Sequence, residues 1–106
     1  MTLLYLDFDD SLPERLEDRI AHLCRLCRWP LVAVRLDRTR RGWHVVVGVR
    51  RILHPAAIVA AQAILGSDPM RETFNLVRVQ KLNAVSAYWR ARWNVLFSSH
   101  AKQRRG

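Results

Sequence analysis

Residues 2 to 9, TLLYLDFD, alternate: Leu4, Leu6 and Phe8 fall on one face, and Leu3, Tyr5, Asp7 and Asp9 on the other. Side chains of a strand point to opposite faces with a period of two, so this is a strand with one buried face and one open face. The open face carries two carboxylates two residues apart. Any fold for this chain must therefore cover one side of a sheet and leave chemistry on the other.

The rest of the chain supplies the cover. Leu16, Ile20, Leu23, Cys24 and Cys27 repeat at helical spacing to about Arg28, and Pro30 ends that helix. Ser11 and Glu14 have the spacing of a capping box before it. Two β-rich runs follow, Leu31 to Leu36 and Trp43 to Val49, around the turn residues Asp37 to Gly42. They predict a hairpin with an Arg-rich tip. Trp43, Val45, Val47 and Val49 share one face of the second run, and His44 lies on the other. Pro55 opens a second helix that stops at Gly66, and Asp68-Pro69 caps a third. Residues 84 to 92 read as helical and 93 to 98 as a last strand.

The order β-α-β-β-α-(α)-β predicts an α+β fold of the ferredoxin-like, or RRM-like, type: one antiparallel sheet with helices on one face. At 106 residues, 50% of them hydrophobic, the chain is long enough for one core without disulfides or metal. One domain is expected over residues 1 to 98, followed by a basic flexible tail at 99 to 106. The first strand then lies antiparallel to the third in the sheet order 4-1-3-2. That pairing sets Asp7 and Asp9 beside His44, with Arg38, Arg40 and Arg41 at the same end.

Charge narrows the partners. Eighteen basic residues against nine acidic give +9. Residues 1 to 18 hold six acids and one base, and residues 19 to 106 hold 17 bases and three acids, so an acidic corner sits on a basic body. Sixteen of the bases are Arg, whose planar fork suits phosphate. A basic body of this kind favours polyanions, nucleic acid first. Candidate contacts are Arg35, Arg38, Arg40, Arg41 and Arg50, with Tyr5 as a base-stacking residue on the open face. No RNP-like aromatic motif is present, so DNA is favoured over RNA. The plain alternative is a solvated basic surface from a genome rich in Arg codons.

Two carboxylates at i and i+2 on a strand can share a divalent cation, Mg²⁺ or Mn²⁺, with phosphate completing its shell. The plain alternative is an acidic strand end running into a helix N-terminus, which Asp10, Glu14 and Glu17 suit better than Asp7 does. The segments LYLDFDD (4–10) and RTRRGWHVVV (38–47) resemble the first two motifs of archaeo-eukaryotic primases and primase-polymerases. The resemblance covers 17 residues. It implies that Asp7 and Asp9 ligate metal and that His44 is the catalytic-site histidine contacting nucleotide phosphates, on an RRM-like core. The family's third acid has no clear counterpart: Asp68 reads as a helix cap, and Arg40 and Arg41 replace small residues before the histidine.

Cys24 and Cys27 form a single CxxC with no second ligand pair, so buried apolar cysteines are expected rather than zinc. No stretch is apolar enough to span a bilayer and nothing marks the chain for export, so an intracellular, cytoplasmic protein is expected. Three functions remain in view. The first is a small nucleic-acid-binding protein of a virus, plasmid or other mobile element. The second is a metal-dependent nucleotidyltransferase or nuclease. The third is a homodimeric interaction module in which the acidic first helix of one copy meets the basic body of another. SDPMRE (67–72) is a dense polar run of which only the helix cap is accounted for.

Overall fold

A computed structural model of the chain describes residues 1–81 and 93–94. Among the described residues it is an α+β fold with a three-stranded antiparallel sheet and three helices. The elements are β1 (Thr2–Asp9), α1 (Leu16–Cys27), β2 (Leu31–Arg38), β3 (Gly42–Val49), α2 (Pro55–Ile64) and α3 (Pro69–Gln80). The strand order is β1-β3-β2.

The alternation in β1 resolves as expected. Leu4, Leu6 and Phe8 are buried and Tyr5 and Asp7 are half-buried. Leu16, Ile20 and Cys24 of α1 pack on the same side, with Ile58, Val59, Ala61 and Leu65 of the α2 region and Val45, Val47 and Val49 of β3. Trp93 joins this core, and Trp29 and Trp43 pack partly against it. Cys24 is buried and its thiol is pushed above its ordinary pKa, chiefly by burial and then by Cys27, whereas Cys27 is exposed. Burial of both cysteines is thus corrected to burial of one.

The capping box does not form. α1 begins at Leu16, after Arg15 in the left-handed region, with no side-chain cap. The Asp10 N–H donates to the Arg41 carbonyl at 2.6 Å, so residues 11 to 15 bridge from that tie to the core position of Leu16. The later helices start where Pro55 and Asp68-Pro69 predict: the Asp68 side chain accepts from Arg71 N–H as expected of a cap, and His54, which the sequence did not mark as a cap, accepts from Ala56 N–H. Gly66, at φ 90, makes the turn between α2 and α3 that a residue with a Cβ would resist. Residues 76 to 80 complete α3.

The expected helix over 84–92, most of the expected strand over 93–98 and the basic tail lie outside the described residues; Trp93 and Asn94 form a bend. Among the described residues no helix is long and apolar enough to cross a membrane.

Candidate functional site

The β1–β3 register puts Asp7 directly opposite His44, and the β2–β3 register puts Asp37 on the other side of the same histidine. The row Asp7, His44, Asp37 therefore crosses the open face. His44 Nε2 lies 3.4 Å from Asp7 Oδ1, with the two side chains 13% and 25% exposed. Both remain reachable from solvent. Asp9 lies opposite Gly42 on this face and is exposed. A Cβ on Gly42 would stand 1.9 Å from the Phe8 carbonyl oxygen, so only glycine admits β1 this close. That approach brings the acidic end of β1 against the hairpin tip.

The tip is held by its own backbone. Thr39 N–H donates to the Gly42 carbonyl at 2.8 Å, and Gly42 N–H donates to Thr39 Oγ1 at 3.0 Å. Arg40 and Arg41 project from it into solvent. Arg38 lies over the Trp43 ring, 5.3 Å from its centroid, where a guanidinium is attracted to the π-face. Tyr5 is half-buried on the open face, as expected.

Two of the candidate contacts are not part of the tip. Arg50 follows β3 at the end away from the tip, where its N–H donates to the Pro30 carbonyl. Roughly 30 Å of strand separates it from Arg41, at about 3.4 Å per residue. With Arg51 and Arg28 it forms a separate basic end, Arg51 Nη1 lying 3.4 Å from the Arg28 carbonyl. Arg35 is exposed, but its Nε bonds Asp37 Oδ2 at 2.9 Å, so its charge is partly answered within its own strand.

The SDPMRE run is built into the site. Its residues clamp the outer edge of β1. The Asp7 N–H donates to Ser67 Oγ at 2.9 Å, and the Asp7 carbonyl accepts from Asp68 N–H at 2.7 Å. The Tyr5 N–H donates to Gln62 Oε1, and the Tyr5 carbonyl accepts from Arg71 Nη1, both at 2.9 Å. Behind this edge sits a polar network that pattern reading missed. Glu72 accepts from Arg71, Gln62 and Asn75, and Asn94 bonds Gln62 and Arg71. Gln62 and Asn75 are fully buried. Burial pulls the Arg71 guanidinium below its ordinary pKa, opposed by the charges of Glu72 and, more weakly, Asp7. The signal was present in part: Gln62 falls on the apolar stripe of α2, where a polar residue demands a partner.

Asp7 and Asp9 present hard carboxylate oxygens on one face, the donor type that Mg²⁺ and Mn²⁺ take. Among the described residues no group of three or more His, Cys, Asp and Glu is placed to hold a metal. An ion held by these two carboxylates would draw its other ligands from water or phosphate. Chemically, the end of the sheet combines three acids (Asp7, Asp9 and Asp37), an imidazole and three guanidiniums. The chain matches no known family model, and no similar curated protein or solved structure was found.

Proposed function

We propose that this protein binds nucleic acid by its phosphates, with the β2–β3 tip as the leading contact. The observation that carries this reading is the state of Arg38, Arg40 and Arg41. They stand on a turn fixed by backbone bonds, and none is in an ion pair among the described residues. A chain of net charge +9 thus presents a concentrated group of guanidiniums, in no ion pair among the described residues, from a rigid support. Arg forks grip phosphate oxygens, Trp43 offers a ring beside Arg38, and Tyr5 offers a second on the open face. DNA is the favoured partner. The β-α-β-β-α order and the β1-β3-β2 neighbours support a ferredoxin-like, RRM-like core for this surface.

A second reading has its own observation. Asp7, Asp9 and His44 converge on one face next to the phosphate-gripping tip. In that reading Asp7 and Asp9 hold Mg²⁺ or Mn²⁺ against a phosphate, and His44 contacts the same group. The protein is then a metal-dependent nucleotidyltransferase or nuclease of primase-like type.

One titration separates them. A labelled single strand and a duplex are bound at two salt concentrations, with and without Mn²⁺. The wild type binds, and the Arg40→Ala/Arg41→Ala variant binds more weakly with a shallower salt dependence. On a duplex the log–log slope falls by about 0.9 for each phosphate that the variant no longer neutralises. Under the binding reading Asp7→Asn leaves affinity equal or higher, because a repelling charge is gone. Mn²⁺-dependent turnover abolished by Asp7→Asn moves the assignment to the enzyme. A wild type that binds neither strand at low salt ends both readings.

A further inference from the structure

The two edges of the sheet are in opposite states. β1's outer groups at Tyr5 and Asp7 are all bonded, whereas among the described residues β2 pairs only with β3. Leu31, Val32 and Leu36 on that edge strand are 40%, 46% and 37% exposed. We propose that β2 is the dimerisation edge of this protein, pairing antiparallel with β2 of a second copy about a two-fold axis at Leu36.

The register follows from the strand itself. In an antiparallel ladder the backbone groups of alternate residues turn to alternate sides. Tyr5 and Asp7 turn theirs outward, so Leu4, Leu6 and Phe8 face β3. Carried across the registers, His44, Val46 and Gly48 face β2, where they meet Asp37, Arg35 and Ala33. The groups left pointing out of the sheet are those of Val34, Leu36 and Arg38. A second β2 centred on Leu36 bonds all three: Leu36 to Leu36 of the partner subunit, and Val34 to the partner's Arg38 on both sides of the axis.

Charge selects this register from its neighbours. Centred on Leu36, each Arg35 stands opposite the partner's Asp37, so the open face gains two opposite-charge pairs. Moving the axis to Arg35 sets Arg35 against Arg35, and moving it to Asp37 sets Asp37 against Asp37. Both neighbours place like charges directly across a strand pair, which is unfavourable. The bulge between Leu31 and Ala33 blocks extension toward the start of the strand. On the helix side, Leu36 lines a shallow groove of about 270 Å³ with Leu12, Pro13, Arg15, Leu16, Glu17 and Asp18, where Arg15 pairs with Asp18. A short edge pairing buries little surface, so the dimer is weak and depends on concentration.

The test is sedimentation of the full chain over a wide concentration range without nucleic acid, so that its outcome is independent of the phosphate-binding reading. The wild type shows concentration-dependent dimerisation. Arg35→Asp and Asp37→Arg each lower the association constant about tenfold, by turning two attractive pairs into repulsive ones. The double variant Arg35→Asp/Asp37→Arg restores it, because the pairs are reversed but again opposite in sign. A misfolded variant cannot give that rescue. The proposal is overturned by a wild type that stays monomeric, by single variants that dimerise as before, or by a double variant that fails to recover.

Discussion

The two outer strands of this sheet solve the same problem in different ways. Every strand edge presents N–H and C=O groups that need partners. At Tyr5 and Asp7, β1 finds them in side chains and backbone delivered from residues 62 to 71, so there it is sealed within its own chain. β2 carries nothing of the kind among the described residues, and it exposes apolar side chains as well. The sealed edge backs the strand that bears Asp7 and Asp9, and the open edge adjoins the strand that bears His44. The sealed side fixes the acids in place. The open side is where a further chain can add.

This contrast can be broken at the network first. Arg71→Met removes the cation beside buried Glu72 and the donor to the Tyr5 carbonyl. Leaving a buried charge without its partner costs about 3–5 kcal/mol. Denaturant unfolding should show a loss of that size, and a loss within experimental scatter would mean that the β1 edge is held by something else. Ser67→Ala removes the acceptor of the Asp7 N–H in a buried position. Its expected cost is about 1–2 kcal/mol, from an amide left unsatisfied. The same variant loosens β1 at Asp7, so a wild-type unfolding curve would break the link between the α2–α3 turn and the site.

The gentlest probe perturbs nothing. Native-state amide exchange in dilute protein should protect Tyr5 and Asp7, whose N–H groups are bonded, and leave Val34 and Leu36 exchanging quickly. Raising the concentration should slow Val34 and Leu36 alone. Equal protection of the two edges in dilute protein would erase the comparison.

Much of this arrangement was legible in the chain. The open-face grouping of Asp7, Asp9 and His44 followed from two alternating segments and one antiparallel pairing. The starts of α2 and α3 followed from Pro55, Pro69 and Asp68, because capping is chemistry between residues a few positions apart. The same local logic misled at Ser11 and Glu14, where the tie from Asp10 to Arg41 moved the helix start to Leu16. Grouping Arg50 with Arg38, Arg40 and Arg41 as contacts carried no distance, since nine residues along a strand is a short step in sequence and a long one in space. Gln62 and Arg71 were opaque for another reason: their partners on β1 lie 57 and 66 positions away.

By itself, then, the sequence determined the periodicities, the helix starts at Pro and Asp, the faces of β1 and β3, and the surplus of positive charge. These depend on stereochemistry and side-chain spacing within a few residues. Only the tertiary structure decided which edge is sealed, which arginines share an end, and that Asp7 meets His44 at 3.4 Å. Those outcomes depend on which distant groups arrive to satisfy a backbone that cannot stay unpaired when buried, and no local pattern encodes that choice.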